Sequence, residues 1–141
     1  MTLLGIDFGE RRIGVAVSDE LGVAARPLPV IERTSRAQDV ARIGEIASHR
    51  KAHMIVIGLP LNMDGSAGPA ARRAQRFAGL LRRELGMQVD VWDERLTTAE
   101  AERALIAAGE RRARRREVRD GVAAALILQS YLDAHRRNRD T

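Results

Sequence analysis

The segment Met54-Ile55-Val56-Ile57-Gly58 restricts the fold more than any other part of the chain, because it has no polar residue in either alternate position. A strand that is apolar at both alternations is buried on both faces, as in the middle of a sheet that helices cover from both sides. Residues 3–8 form a similar apolar run that ends in an acid, Asp7, before Gly9. These two segments predict the interior of an α/β sheet.

Two further strands follow the first one after short turns. Residues 13–18 predict a second strand, and the turn at residues 9–12 is short enough for a hairpin, so that this strand runs antiparallel to the first. Residues 22–31 predict a third strand after the turn at residues 18–21. The chain therefore starts with a three-stranded meander.

The hydrophobic period changes to that of helices after residue 31. Ser35-x-x-Gln38 resembles a capping box at the start of a helix, and Pro69 predicts the first turn of another, which reaches about Leu85. Thr97-x-x-Glu100 predicts a third helix that ends at Ala108, and residues 119–134 predict the last one. Residues 88–92 form the fifth strand.

The order of these elements predicts the topology. Right-handed crossovers place the fourth and fifth strands beside the first. The expected fold is α/β, with one five-stranded mixed sheet in the order 3-2-1-4-5, an antiparallel second strand and helices on both faces. The 141 residues match the size of a single domain, which we assign to residues 1–141.

Composition excludes several classes of protein. The chain has no cysteine, which rules out disulfides, thiolate zinc sites and a cysteine nucleophile. No apolar run approaches the roughly 20 residues of a membrane span, and Asp7 comes too early for a signal peptide. We expect a cytoplasmic protein that does not associate with membranes.

The charge balance favours a nucleic-acid partner. Lysine and arginine number 24 against 19 acids, the net charge is +5, and Lys51 is the only lysine. The planar guanidinium group of arginine suits phosphate, and a basic surface is the electrostatic signature of nucleic-acid binding. A GC-rich genome would produce the same excess of arginine, so that composition alone leaves both explanations open.

Four acids are placed where ligands bind in such a sheet, beyond the carboxyl ends of parallel strands. Asp7 ends the first strand, and Asp93 and Glu94 follow the fifth. Asp120 is predicted in the first turn of the last helix, whose small residues Ala123 and Ala124 would let it approach the sheet closely. We therefore expect acids that are distant in sequence to converge at one edge.

Clustered carboxylates are typical of a site for divalent cations. They raise one another's pKa unless a cation lies between them, and Mg²⁺ prefers oxygen ligands. Two such ions about 3.5–4 Å apart support phosphodiester cleavage. Simpler roles exist for each acid: Asp7 in a turn, and Asp120 at a helix N-terminus. Strand alternation does not choose between Asp93 and Glu94.

Four motifs resemble the YqgF/RuvX family of pre-16S rRNA nucleases, which are also described as Holliday junction resolvase-like proteins. The resemblance extends from about residue 3 to residue 133. The motifs are Leu4-Gly5-Ile6-Asp7-Phe8-Gly9, Gly58-Leu59-Pro60-Leu61-Asn62-Met63-Asp64-Gly65, Asp93-Glu94-Arg95-Leu96-Thr97-Thr98 and Asp120-x-x-Ala-Ala.

The resemblance implies a ribonuclease H-like fold and a nuclease that depends on Mg²⁺ or Mn²⁺. It places the three catalytic, metal-binding acids at Asp7, Glu94 and Asp120, with Asp93 as an alternative ligand or as a neighbour that positions the ligand. The implied role is maturation of the 5′ end of the 16S rRNA precursor, in the cytoplasm.

Two segments are candidates for contacts with the nucleic acid. Five arginines lie between Gly109 and Asp120 in the segment 111–116, and they predict either a mobile basic lid over the substrate backbone or a solvated run of charge. Asn62 would lie at the carboxyl edge of the sheet, where it contacts the substrate or only shapes a turn. The five arginines are Arg111, Arg112, Arg114, Arg115 and Arg116.

Other functions remain open at this point. One is a Holliday junction resolvase-type DNA endonuclease, and another is an RNA-binding assembly or transcription factor without catalytic activity. Asp7-Phe8-Gly9 followed by Ile13-Gly14 also resembles the phosphate loop of actin-like ATPases, but those proteins need two related domains. The sequence is compatible with a monomer or a homodimer.

Overall fold

The computed structural model describes residues 1–97 and 112–140, except for the side chains of residues 112–120 and 137–140. A 3-10 turn spans Glu94–Leu96. The strands are β1 (Leu3–Phe8), β2 (Arg12–Ser18), β3 (Ala25–Glu32), β4 (Met54–Leu59) and β5 (Gln88–Asp93), and the described helices are α1 (Arg36–His49), α2 (Pro69–Leu85) and α3 (Arg112–Asp140).

The sheet has the order β3-β2-β1-β4-β5, which confirms the predicted topology. β2 pairs antiparallel with both of its neighbours. β1, β4 and β5 are parallel to one another. The carboxyl ends of these three parallel strands therefore lie at one edge of the sheet.

β3 begins three residues later than predicted, at Ala25. The carboxylate of Asp19 accepts a hydrogen bond from the backbone N–H of Val23 at 2.8 Å. Gly22 has a φ of 68°, in the left-handed region that glycine adopts without strain. Both features belong to a turn, and residues 22–24 are therefore not available for the strand.

α3 begins at Arg112 and not at Arg119, so that the predicted boundary is wrong. Residues 112–119 consist mainly of arginine, alanine and glutamate, which are strong helix formers, and they contain neither glycine nor proline. Nothing in this segment stops a helix. Of the predicted helix from Thr97 to Ala108, only Thr97 belongs to the described residues.

The sheet separates two apolar layers. Leu4 and Ile6 of β1 point to the layer under α1 and α2. Leu3 belongs to the layer under α3, together with Ile127 and Leu128. Because side chains alternate along a strand, Asp7 lies on the α3 face of the sheet.

α3 lies directly against β1 because the residue of β1 at the point of contact, Gly5, has no side chain. A Cβ atom at Gly5 would be 2.7 Å from Cβ of Leu128 and 2.9 Å from the carbonyl oxygen of Ala124. Glycine is unfavourable in a helix, but a similar contact explains its presence at position 121. A Cβ atom at Gly121 would be 3.2 Å from Cβ of Pro27. These glycines bring the helix to the sheet surface on which Asp7 lies.

We expect Gly5→Ala to lower the free energy of unfolding by about 3 kcal/mol, because neither a backbone carbonyl nor a Cβ atom can move aside easily. Gly79→Ala is the matched control, since no atom lies within 4 Å of its Cβ position in the middle of α2. That exchange should stabilise the protein by about 0.5–1 kcal/mol. Urea unfolding measures the free energy of unfolding of both variants. An equal change of this free energy in the two variants would contradict the close contact at Gly5.

Candidate metal centre

Asp7 and Glu94 come from parallel strands on either side of β4. Asp7 is the penultimate residue of β1, and Glu94 is the first residue after β5. On β5, Asp90 accepts a hydrogen bond from the Tyr131 hydroxyl of α3 at 2.7 Å, and Trp92 donates one to Ser130 at 2.9 Å. Asp90 and Trp92 therefore face α3. The two-residue period places Glu94 on that same face.

Gly58, near the end of β4, leaves the space that Glu94 occupies. A Cβ atom at Gly58 would be 3.0 Å from Cγ of Glu94 and 2.5 Å from Cδ1 of Ile127. The Glu94 side chain thus lies between β4 and α3. On β2, Gly14 pairs opposite Asp7, so that the neighbouring position on this face also lacks a side chain.

The carboxylates of Asp7 and Glu94 interact electrostatically. Burial raises the pKa of Glu94 to about 7, and the charges of Asp7 and then Asp93 contribute in the same direction. Glu94 is therefore held in a place that favours its neutral form while no cation is nearby. This arrangement is costly for a folded protein and is typical of functional sites.

Asp93 has a different environment from Glu94. Its carboxylate accepts hydrogen bonds from the backbone N–H of Arg95 at 2.9 Å and from Nη2 of the same residue at 2.7 Å. These contacts cap the 3-10 turn and form an ion pair. The hydrogen bonds from Arg95 lower the pKa of Asp93. Asp93 is therefore an ionised residue held by Arg95, whereas Glu94 is the one beside Asp7.

Asn62 lies in the loop that follows β4 and is exposed. Its side-chain amide donates a hydrogen bond to Oγ of Ser66 at 3.0 Å, and Asp64 accepts one from the same hydroxyl at 2.6 Å. The hydrogen bonds from Ser66 lower the pKa of Asp64. The loop thus contains the turn considered in the sequence, and Asn62 is accessible at its surface.

Sequence reasoning did not find the role of Arg95. Besides its ion pair with Asp93, the guanidinium group donates to the carbonyl oxygen of Met63 at 3.3 Å. It therefore connects the turn after β5 to the loop after β4, and both segments border the acids. The direct succession Asp93-Glu94-Arg95 was the available signal, because residues two apart can pair across a tight turn.

Asp120 is the ninth residue of α3 and does not lie in its first turn, which removes the simple explanation of a helix N-terminus. Its side chain is outside the described residues. So are Arg111 and the side chains of four arginines in the first turns of α3. Among the described side chains, no three acids or histidines gather closely enough to hold a metal ion. The four arginines are Arg112, Arg114, Arg115 and Arg116.

The sheet order and the acids at the ends of β1 and β5 define a protein of the ribonuclease H-like class. Solved structures share this fold: Thermus thermophilus RuvC in complex with a Holliday junction substrate has a TM-score of 0.61 at 18% identity, with 96% of each chain covered. The fowlpox virus Holliday junction resolvase has a TM-score of 0.56 at 13% identity, covering 95% of this chain and 99% of the other.

Within this class the chain belongs to the RuvX family, described as "Holliday junction resolvase", whose pattern matches residues 1–134. A Myxococcus xanthus relative is 51% identical over 136 residues, covering 96% of this chain and 90% of its own. One from Symbiobacterium thermophilum is 52% identical over 134 residues, covering 95% and 93%. Both carry the name "Putative pre-16S rRNA nuclease". The resemblance seen in the sequence motifs is thereby confirmed.

None of the helices in the described part of the chain is both long enough and apolar enough to cross a membrane.

Proposed function

We propose that this protein is a metal-dependent nuclease that hydrolyses phosphodiester bonds in the 5′ region of the 16S rRNA precursor in the cytoplasm. The observation that carries this proposal is the pair Asp7 and Glu94 on one face of the sheet edge, with the pKa of Glu94 raised partly by Asp7. A nuclease of this kind needs carboxylates that are kept close together despite their repulsion.

The donor set fits a hard divalent cation such as Mg²⁺ or Mn²⁺. Both ions prefer carboxylate oxygens, and a positive charge between Asp7 and Glu94 would offset their repulsion and favour ionised Glu94. Asp120 is the third proposed ligand: its helical position is one turn before Ala124, whose carbonyl lies against β1. A bound cation would supply activation of water and neutralisation of charge on the phosphate.

The protein's own residues would hold this centre in place. Glu94 must lose its proton to serve as a ligand, and the position over Gly58 fixes its side chain. Asp93 and Arg95 hold the 3-10 turn that begins with Glu94. Arg95 also contacts the loop that carries Asn62, so that we assign it a positioning role between the acids and this part of the substrate surface.

The family relationship supports RNA as the substrate, because both relatives described above are named for pre-16S rRNA. The arginines at the start of α3, and Arg111 before it, would bind the phosphate backbone in the vicinity of Asp120. A four-way DNA junction is the second candidate substrate, since the family description itself names the Holliday junction.

Cleavage of two labelled substrates tests this proposal. One is a structured RNA with the 5′ region of the 16S precursor, and the other is a four-way DNA junction, each incubated with Mg²⁺, Mn²⁺ or EDTA. We expect cleavage of the RNA with a divalent cation and none with EDTA. Cleavage of the junction alone would favour the second candidate, and the absence of cleavage on both would favour a non-catalytic RNA-binding factor.

Asp93→Asn should retain activity within about tenfold of the wild type, because it removes a partly exposed ion pair worth under about 1 kcal/mol. Asparagine can still accept the capping hydrogen bond. The Mn²⁺ concentration that gives half-maximal cleavage should be nearly unchanged. A large rise of that concentration, together with loss of the increase in Tm that Mn²⁺ causes, would identify Asp93 as a metal ligand.

A further inference from the structure

A shallow cavity of about 100 Å³ opens beside the end of β1, on the face opposite to Asp7. Four of its lining residues are arginines, and none of them is acidic. The arginines come from three separate places, which are the segment after β3 and the starts of α1 and α2. The main lining residues are Phe8, Arg33, Arg36, Arg73, Arg76 and Phe77.

The floor of the cavity is rigid. The rings of Phe8 and Phe77 are stacked, with 4.2 Å between their centroids and an interplanar angle of 18°. The guanidinium carbon of Arg33 lies 4.4 Å from the centre of the Phe8 ring, and Nη1 donates to the carbonyl oxygen of Gly9 at 3.1 Å. Nε of Arg33 lies 3.7 Å from the buried Asp39 carboxylate. Arg33 is thus a fixed part of the wall with its charge balanced.

The other arginines leave an excess of positive charge. Arg73 has the exposed carboxylate of Glu10 at 3.5 Å. Arg36 and Arg76 are exposed, and within the described side chains they form no ion pair. About two positive charges therefore remain at a cavity without acids in its lining.

Helix electrostatics make the position of Arg36 unfavourable in the absence of an anion. Arg36 is the first residue of α1, whose first turn also contains Asp39, whereas Arg73 and Arg76 are the fifth and eighth residues of α2 and lie beyond its first turn. The N-terminal end of a helix carries partial positive charge and favours anions. The charge of Arg36 therefore reduces stability slightly, unless a bound anion offsets it.

We propose that this cavity, the Arg36/Arg76 pocket, binds a backbone phosphate of the nucleic-acid substrate on one side of the bond to be cleaved. Phe8 directly follows Asp7, and the turn at Gly9 connects the pocket to the edge that carries the acids. A strand that passes over this edge would place one phosphate at the acids and a flanking phosphate on the arginines. This inference rests on the nucleic-acid substrate of the proposed function.

The test compares two variants that each remove one arginine from α1 or its end and one from α2. Arg36→Ala/Arg76→Ala changes the pocket. Arg50→Ala/Arg83→Ala changes the opposite, C-terminal ends of these helices. Arg36 and Arg76 are exposed, and the loss of Arg36 from the N-terminus of α1 should not lower Tm, whereas the control should lower it slightly. Weaker binding by the pocket variant would therefore not result from unfolding.

Binding of a fluorescent single-stranded RNA is measured in EDTA over a series of salt concentrations. For the pocket variant we expect the slope of log affinity against log salt to fall by about 0.7, since the pocket holds one phosphate and each phosphate contact on a single strand contributes about 0.7. Affinity at 0.1 M salt should fall about fivefold. The control variant should stay within about twofold of the wild type.

Equal losses in both variants, or no loss in either, would overturn the pocket as a phosphate site. So would the absence of RNA binding by the wild type at low salt. Displacement of the RNA by an equimolar mononucleotide would assign the pocket to a free nucleotide and also overturn the inference. Because EDTA prevents metal-dependent cleavage, this binding result is independent of the cleavage assay, and either proposal can fail alone.

Discussion

Asp7→Asn should lower metal-dependent cleavage at least about a thousandfold. Asparagine keeps the shape of the side chain but loses the negative charge, and stabilisation of transition-state charge by a bound cation is worth several kcal/mol. Each 1.36 kcal/mol corresponds to about a factor of ten in rate. The measurement is the single-turnover rate on the substrate that the wild type cleaves, at saturating Mn²⁺.

Asp19→Asn is the matched control for this exchange. Asp19 follows β2, which runs antiparallel to β1, so that it lies at the opposite edge of the sheet. Asparagine can accept the hydrogen bond from Val23 that shapes the turn. The control should cleave at the wild-type rate. If Asp7→Asn also cleaves at that rate, the activity comes from a different site or a contaminant.

The fold was predictable from local features of the chain. The unalternated apolar segment at residues 54–58 indicates a strand covered on both faces, and the short connection at residues 9–12 requires a hairpin. Crossover handedness then fixes the order of the strands. Each of these features belongs to a single element and its neighbours. The observed strand order agrees with all of them.

The choice between Asp93 and Glu94 was not predictable in the same way. Both alternations of β5 look buried in the sequence, so that periodicity does not show which side chain faces α3. The contacts of Asp90 and Trp92 with α3 determine the face. Arg95 then separates the two acids chemically, because it holds Asp93 and leaves Glu94 beside Asp7.

The start of α3 was misjudged for another reason. The charge of consecutive arginines favours a solvated segment between helices, whereas the high helix propensity of arginine favours the helix that the structure has. Gly121 is a second residue that local propensity does not explain, since glycine is unfavourable inside a helix. Its explanation is a tertiary contact with Pro27, which no local argument could provide.

Glu94→Gln should abolish cleavage and at the same time stabilise the metal-free protein above pH 7. The folded protein holds the Glu94 proton more tightly than the unfolded chain, because the pKa rises from 4.5 to about 7. The stability that the protonated form provides is present in full below pH 4.5 and is lost as the pH rises through about 7. Glutamine does not ionise and avoids this loss.

Urea unfolding of both proteins in EDTA at pH 4 and pH 8 measures the effect. The variant should match the wild type near pH 4 and exceed it at pH 8 by at most about 3 kcal/mol, a limit that solvent screening at this partly exposed carboxyl reduces. Mn²⁺ should raise Tm of the wild type much more than that of the variant. Glu84→Gln, on the exposed surface of α2, controls for the exchange itself, and a difference from wild type that is the same at both pH values would contradict the raised pKa of Glu94.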